Sequence, residues 1–341
     1  MPCAILRAVN QHLLPTLRLL GGDTFRSGEE IAQRLGVTRA TVWNVMQEVQ
    51  QLGLPVEKVR GQGYRLPHPP VWLDAAAIGS ALGVHAARFH VDIQDEVSST
   101  NTVMLERAVA GAASGSMVAA ELQTGGRGRR GRTWLSGLGG ALTFSLLWRF
   151  DEGPASLSGL SLVVGLACAK ALSARGVQGV GVKWPNDLLC DGRKLAGILI
   201  ELQGDALGPS AVVIGIGFNV RLAADIPAAV DQPVADIAGT GGSEDRNALL
   251  AAVLTELASA IDAFLVGGFA AVSDEFDRWH VLQDRDVVVS LPDGSRVEGR
   301  VTGTAADGAL LVDTDTGSRR FHGGEVSVRA SSGTATVGRD A

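Results

Sequence analysis

One short segment constrains the fold and function of this chain more than any other. Residues 126–132 read GRGRRGR, four arginines and three glycines in seven positions, and Trp134 follows shortly after. Glycine lets a backbone approach a ligand closely, and arginine supplies permanently charged, bidentate donors for phosphate and carboxylate. Together, glycine and arginine predict a mobile loop that binds anions. Apolar, strand-like runs at 117–122 and 141–148 flank the segment, which favours an ordered loop on a sheet. The alternative is an exposed loop that binds nucleic acid without specificity.

The chain changes character along its length. Its middle alternates strand-like and helical runs, which is typical of α/β proteins, and short strands with turn signals follow it, which is typical of a small barrel. The final residues are rich in Ser, Gly and Thr and predict disorder. The predicted parts are an N-terminal extension (1–14), a winged helix-turn-helix (15–67), an α/β domain with a mixed sheet (72–280), a β-barrel (281–330) and a disordered tail (331–341).

The N-terminal pattern is that of a winged helix-turn-helix. We expect a first helix from Pro15, since proline suits the first turn of a helix. Ser27 begins a capping box for the second helix, and Thr38 can cap the third. Two short helices joined at Gly36 form a helix-turn-helix. Residues 55–66 then predict a hairpin wing.

Composition excludes several classes of protein. The 341 residues are 46% hydrophobic, so a sizeable core is expected. Residues 1–70 carry a net +3 within a chain of net −6, and a basic head on an acidic body fits a small nucleic-acid module on an enzyme. Three scattered cysteines indicate neither disulfides nor a metal cluster and favour a cytoplasmic protein. The longest uncharged run, 153–169, is just short of a membrane span, and its second half predicts a buried helix.

The basic residues themselves are informative. Only four are lysines, against 26 arginines. Since the chain uses arginine where charge alone suffices, we expect its few lysines to be required as lysine. Lys183 sits among apolar residues, where an unpaired charge is costly, and should therefore face a cavity or a phosphate. Asp187 is a candidate Mg²⁺ ligand, because Mg²⁺ is bound through one or two carboxylates plus substrate phosphates. An ordinary turn at Asn186 and Asp187 is the alternative.

Together with its neighbours, the arginine-glycine loop resembles the signature of the biotin–protein ligases. The resemblance extends from about Pro15 to about Arg329, nearly the whole chain, and includes the upstream helix-turn-helix found in the members that also repress biotin operons. It also implies an SH3-like C-terminal domain. The motifs, in the order of the family, are STN at 99–101, Gln123, the loop itself, KWPND at 183–187, KLAGIL at 194–199 and GIGFN at 215–219.

The resemblance implies that ATP and Mg²⁺ activate biotin in this part of the chain. Four residues carry the expected catalytic positions: Arg127, Arg129, Lys183 and Lys194. The implied contacts of biotin are Ser99, Thr100, Asn101, Gln123, Arg127, Gly128, Arg129 and Lys194. The implied contacts of ATP are Arg129, Arg132, Trp134, Lys183, Asn186 and Asn219, with Asp187 as the Mg²⁺ ligand.

Structural alternatives exist for several of these positions. Ser99 or Thr100 would merely cap the following helix. Trp134 would anchor the base of the loop in the core instead of stacking on adenine. Lys194 would be a solvated residue at the edge of a strand.

The third helix predicts DNA binding, although it carries few cations. Phosphate contacts draw on several Lys or Arg, whereas residues 39–51 contain one, and Trp43 stands where a polar residue is expected in the groove. The alternative is that the helix-turn-helix is a structural relic that does not bind DNA and only positions the N-terminus. The candidate DNA contacts are Arg39, Thr41, Asn44, Gln47, Lys58 and Arg60.

Reading a two-fold operator requires a dimer. The resemblance implies one when the adenylate is bound, formed edge to edge between sheets. The expected function is transfer of biotin to a biotin carboxyl carrier domain, with biotin-responsive repression. Two alternatives are a biotin-sensing regulator without ligase activity and a lipoate–protein ligase.

Overall fold

A computed structural model of the chain describes residues 10–22, 24–52, 54–204, 208–223, 226–230, 232–323 and 326–330. Its elements form three groups in chain order, each with its own sheet. The predicted tail at 331–341 and most of the predicted extension lie outside the described residues.

The first group is the predicted helix-turn-helix with its wing. Ser27 Oγ accepts from the Glu30 amide at 3.1 Å and Thr38 Oγ1 from the Thr41 amide at 3.1 Å, so both predicted caps are present. Gly36 ends the second helix at φ +65°, a conformation that favours glycine. The elements are α1 (Leu13–Leu19), α2 (Gly28–Leu35), α3 (Arg39–Gln51), β1 (Glu57–Val59) and β2 (Gly63–Arg65).

The first helix corrects one prediction. It begins at Leu13 rather than at Pro15, which lies within its first turn, where proline is tolerated. Leu13 and Leu14 are buried in the cluster that also holds Val45 and Val49 of α3. Because these leucines complete that core, the extension is shorter than predicted.

The second group is a seven-stranded mixed sheet in the order β3-β4-β5-β9-β8-β7-β6. Only β3 and β4 run parallel, and the other neighbours are antiparallel. Its strands are β3 (His90–Val97), β4 (Ser116–Gln123), β5 (Ala141–Phe150), β6 (Val180–Lys183), β7 (Asp187–Cys190), β8 (Arg193–Gly204) and β9 (Ser210–Asn219). Its helices are α4 (Ala75–Leu82), α5 (Thr100–Val109), α6 (Leu160–Ala174), α7 (Ile226–Ala229), α8 (Arg246–Gly267) and α9 (Ser273–Trp279).

Helices cover both faces of this sheet. Because side chains alternate along a strand, Leu146 and Val212 join the large core beneath α6 and α8, whereas Leu147 and Val213 join a smaller cluster beneath α5. Two helical stretches, Pro154–Ala174 and Arg246–Gly267, are long and apolar enough to cross a membrane. Since α6 and α8 pack against each other within the core, packing accounts for their composition.

The third group is a five-stranded antiparallel sheet in the order β13-β12-β11-β10-β14. Its strands are β10 (Asp286–Ser290), β11 (Arg296–Thr304), β12 (Leu310–Thr314), β13 (Gly317–Phe321) and β14 (Ser327–Ala330). The described pairing runs from β13 to β14 without joining them, so closure into an SH3-like barrel stays a prediction. Val289, Val301 and Leu310 join the central core, which seats this sheet against the second group.

Residues 71–73, which link the first two groups, are held against the central core by a buried ion pair. Arg246, at the start of α8, donates to the carbonyls of Val71 and Ala141 and pairs with Glu121 at 2.6 Å. Glu121 accepts in turn from the Leu73 amide at 2.7 Å. Both charged side chains are almost fully buried, so residues 71–73 are held by a compensated internal ion pair. Further out, Arg18 of α1 pairs with Asp95 of β3 at 2.5 Å.

Candidate active site

A single pocket gathers all the residues that the motifs nominated for biotin, ATP and Mg²⁺. It lies among the arginine-glycine loop, the strands β6 to β9, and β14 of the C-terminal sheet. The nominated residues that line it are Ser99, Thr100, Asn101, Gln123, Arg127, Gly128, Arg129, Arg132, Trp134, Lys183, Asn186, Asp187, Lys194 and Asn219. Their individual roles stay predictions.

One end of the pocket is a buried polar network at the start of α5. The Thr100 amide and hydroxyl both donate to Gln123 Oε1, at 2.8 and 3.1 Å. The first turn of the helix is thus capped from β4, and Ser99 makes no capping contact. Capping by Ser99 is therefore wrong. Gln123 Nε2 is directed toward Gly126, where a Cβ would lie 3.2 Å from it, so this donor faces the base of the loop.

Asn101 is held by the protein on both sides of its amide. Ser145 donates to its Oδ1 at 2.5 Å, and its Nδ2 donates to Glu201 at 2.7 Å and to the Leu199 carbonyl at 3.3 Å. Asn101 therefore supports the floor of the pocket. Glu201, a half-buried residue of β8, also accepts from Arg127 at 3.3 Å. Sequence reasoning missed Glu201, because one acid near the end of a strand resembles any solvated residue.

The arginine-glycine loop is ordered, as predicted, and not an extended tag. The Gly128 amide donates to the Arg132 carbonyl at 2.7 Å, and the Trp134 amide donates to the Gly126 carbonyl at 2.9 Å. Arg130 occupies the left-handed region at φ +58°, which is uncommon for a residue with a side chain. It also lines the pocket, although the family motif had not singled it out.

Arg129 connects the loop to two other parts of the molecule. Its guanidinium donates to Asn186 Oδ1 at 2.9 Å and to the carbonyl of Gly323, which lies between β13 and β14. Burial, reinforced by the neighbouring Arg130, lowers the pKa of this guanidinium from its ordinary value. The loop is thus tied across the mouth of the pocket to the third group of elements.

Trp134 packs on the sheet. Gly197 of β8 and Gly217 of β9 are paired neighbours, and a Cβ on Gly217 would lie 2.6 Å from the indole ring. Lys194 Nζ is 5.8 Å from the ring centroid. The indole therefore rests on a surface that only glycine leaves open, as the anchoring interpretation predicts, and it also lines the pocket.

The two motif lysines lie side by side with one carboxylate. Lys194 Nζ is 2.7 Å from Asp187 Oδ1, and the two side chains are 17% and 20% exposed, so a solvated strand-edge lysine is wrong. Burial lowers the pKa of the Lys183 ammonium; Asp187 opposes this, whereas the cations Lys194 and Arg329 reinforce it. Arg329 reaches the pocket from β14, a contact that no local sequence pattern indicates.

Asp187 fits a role as a Mg²⁺ ligand. Its side chain forms an ion pair with Lys194. The Asn186 side chain accepts from Arg129 and donates to the Ile198 carbonyl, so neither side chain closes an ordinary turn. Asp187 is the one carboxylate that lines the pocket in the described part of the chain. Those residues contain no group of three or more His, Cys, Asp or Glu that could hold a metal. A single carboxylate suits Mg²⁺ if phosphates and water supply the remaining ligands.

Asn219 closes the pocket from β9. Its Nδ2 donates to the Lys194 carbonyl at 3.2 Å and to the Ala235 carbonyl at 2.9 Å. It therefore fixes the backbone at Lys194, the residue that approaches Asp187.

The predicted DNA contacts lie on the surface of the first group. Arg39 and Asn44 of α3 are exposed, Thr41 and Gln47 are half-exposed, and Lys58 and Arg60 of the wing are exposed. Arg39 approaches the exposed Glu29 at 3.4 Å. Another wing cation, Arg65, is occupied structurally, because it pairs with Glu57 and stacks on Phe25.

A cation-lined pocket in a mixed-sheet domain is thus joined to a winged helix-turn-helix and to an antiparallel C-terminal sheet, and comparison with known proteins finds a family model for each of these three parts. Family models match at 16–65 (HTH domain), 94–219 (biotin/lipoate A/B protein ligase family) and 284–329 (biotin protein ligase C terminal domain). The chain is 36% identical to the bifunctional ligase/repressor BirA of Escherichia coli, over 93% of this chain and 97% of that one. This chain belongs to the biotin protein ligase family.

Two further relatives support this assignment. The biotin--[acetyl-CoA-carboxylase] ligase of Mycobacterium tuberculosis is 33% identical over 68% of this chain and 86% of its own. The biotin protein ligase of Aquifex aeolicus in complex with biotin and ATP superimposes with a TM-score of 0.62 at 29% identity, over 71% of this chain and 99% of that one.

Proposed function

We propose that this protein activates biotin with ATP and transfers it to a lysine of a biotin carboxyl carrier domain. The observation that carries the proposal is the pocket itself, in which lysine and arginine side chains surround a buried polar recess and one carboxylate. In the first step a carboxylate oxygen of biotin attacks the α-phosphorus of ATP, and pyrophosphate leaves. In the second the neutral amine of the carrier lysine attacks the acyl carbon, AMP leaves, and the amine releases a proton.

The cations perform the first step by positioning and charge stabilisation. Two anions must meet, and we assign Arg127, Arg129 and Lys194 to the biotin carboxylate and the adenylate phosphate. Lys183 and Arg132 face the remaining phosphates. Asp187 would hold Mg²⁺, which neutralises charge on the phosphates when bound.

The polar recess suits the ureido ring of biotin. Ser99, Thr100 and Gln123 place donors and acceptors at one end of the pocket, as a small polar ligand head requires. Thr100 is already bonded to Gln123, and Ser145 bridges Thr100 and Asn101, so little ordering of these side chains is required on binding.

The arginine-glycine loop would seal the adenylate from water. A mixed anhydride hydrolyses readily, and a lid that excludes solvent protects such an intermediate. Arg129 reaches Asn186 and Gly323, so this loop is already positioned over the pocket.

The decisive experiment is ATP-dependent transfer of biotin to a carboxyl carrier domain, measured by intact mass. We expect a single biotin-sized gain. Biotin binding without any gain would favour a sensor without ligase activity, and labelling by lipoate in place of biotin would favour a lipoate–protein ligase.

We further propose that the protein is cytoplasmic, that residues 15–67 bind operator DNA, and that the protein dimerises when it holds the adenylate. The helix-turn-helix match and the exposed face of α3 support repression. Sedimentation with and without biotin plus ATP tests dimerisation, for which an unchanged monomer mass would be contrary evidence. We likewise assign residues 72–280 to the catalytic domain and residues 281–330 to the C-terminal domain; the family matches at 94–219 and 284–329 support this division.

A further inference from the structure

The exposed face of α3 carries a large apolar side chain that the fold does not use. Val42, Val45, Met46 and Val49 point into the core of the module. Trp43 lies on the opposite side, 53% exposed. An exposed tryptophan contributes little to stability, so this position is suited to a contact outside the chain.

The neighbours of Trp43 on this face are small or carry amides. Ala40 precedes it by three positions and Asn44 follows it, both exposed, and Gln47 lies one turn further on. Asn and Gln pair with the N6 and N7 atoms of adenine, whereas Arg and Lys read guanine. The one cation of α3 is Arg39, which lies 3.4 Å from the exposed Glu29. The helix thus offers adenine-reading groups beside an apolar surface.

The charges of the module favour DNA over a protein partner. Of the cations on the helices and wing, Arg18, Arg26, Arg34 and Arg65 lie in ion pairs of 2.5 to 3.0 Å. Lys58 and Arg60 of the wing form no ion pair among the described residues, and both are exposed. Cations on the wing beside an amide-bearing helix match a phosphate backbone beside base edges.

We propose that α3 reads A·T base pairs in the major groove, with Asn44 and Gln47 on adenine and Trp43 against the methyl groups of thymine. An apolar side chain that contacts the thymine methyl is an established form of base readout. Few free cations also mean that base contacts provide an unusually large share of affinity, and that affinity falls only weakly with salt. This inference rests on the proposed binding of operator DNA.

The test begins with selection from randomised duplex DNA by the full-length protein in the presence of biotin and ATP. We expect enriched sites with adenine and thymine opposite α3. Each thymine in the enriched site is then replaced by uracil, which removes only the methyl group. For one such thymine, binding should weaken by about fourfold, the value of one buried methyl-sized group.

Trp43→Ala identifies the side chain responsible. We expect it to bind the enriched site at least about fivefold more weakly, and to bind the uracil and thymine forms of that site equally. Trp43→Phe should recover part of the discrimination. Val84→Ala, at a position that is 92% exposed outside the module, is the matched control and should leave the enriched sequences unchanged.

The other outcomes distinguish failure of A·T readout by α3 from failure of operator binding. G·C-rich enriched sites, or a uracil penalty that persists in Trp43→Ala, would overturn the reading mode and leave operator binding intact. Failure to enrich any sequence would remove operator binding, and this inference with it. Weaker biotin transfer to the carrier by Trp43→Ala, with DNA binding unaffected, would make the face a protein contact.

Discussion

Two charge clusters in this protein are largely withdrawn from solvent, and they differ in how their charges are compensated. Arg246 and Glu121 are each met by an opposite charge and by backbone groups of the chain. The pocket cations Lys183 and Lys194 share a single carboxylate, Asp187, and lie among further arginines. A buried charge without a partner is costly, so the first cluster, whose charges are matched, stabilises the fold, whereas the second carries more positive than negative charge.

The largest effect that would test this comparison is on stability. Arg246→Met should lower the free energy of unfolding by about 3–5 kcal/mol, the cost of leaving one member of a buried ion pair alone. Urea unfolding measures it. Replacing both members, Arg246→Met with Glu121→Leu, should recover only part of the loss, because the Val71 and Ala141 carbonyls and the Leu73 amide would still lack partners. Full recovery would show that the backbone contacts contribute little.

The pocket cluster should show the reverse behaviour. Lys183→Met should reduce adenylate formation by about 10²–10³-fold, as expected for loss of one charge-stabilising group, and should raise the free energy of unfolding, since burial already lowers the pKa of this ammonium. Pyrophosphate exchange and urea unfolding give the two values. Lys170→Met, which removes an exposed lysine paired with Glu275, is the matched control. A destabilised Lys183→Met would mean that this charge is compensated within the protein.

A third buried group, His280, lies outside both clusters. It stacks on Phe276 with ring centroids 5.4 Å apart, and its ring nitrogens have no hydrogen-bond partner among the described residues. Burial lowers the pKa of its imidazole to about 4 from 6.5. Between these two pH values the imidazole is protonated in the unfolded chain but neutral in the native protein. The free energy of unfolding should therefore fall by about 3 kcal/mol as the pH drops from about 6.5 to about 4.

His280→Leu should abolish that part of the acid-induced loss. The quantity to compare is the difference in unfolding free energy between variant and parent at neutral pH and near pH 4, because carboxylates also titrate at the acid end. His322→Leu, at an exposed histidine, should follow the parent. Parallel pH profiles for His280→Leu and the parent would contradict burial of a neutral imidazole.

Local patterns predicted most of the fold. The strand-like runs at 117–122 and 141–148 lie within β4 and β5, and the second half of the uncharged run at 153–169 lies within α6. The helix caps at Ser27 and Thr38 were predictable because a cap needs only a side-chain oxygen and a backbone amide three residues apart. β14 was missed because it is four residues long and depends on its pairing with β10.

The pocket was predictable where a motif is contiguous and hidden where contacts are long-range. The loop and the two motif lysines were found, and they line one pocket. Arg329 was missed because only tertiary packing brings β14 to Lys183. In the sequence, Arg246 resembles any polar residue at the start of a helix. Its buried position depends on the ion pair with Glu121, which lies on a strand distant in sequence.

Glu201 is the missed residue whose effect should be smallest and most specific. It holds Asn101 beneath the polar recess and accepts from Arg127, so it positions two groups without lining the pocket. Glu201→Leu should raise KM for biotin by about tenfold, the value of one hydrogen bond to a charged group, with a smaller effect on kcat. Glu201→Gln retains an acceptor for Asn101 but loses the charge facing Arg127. If the hydrogen bond to Asn101 is what matters, KM should stay near the parent value in Glu201→Gln; equal losses in both variants would assign the effect to Arg127 instead.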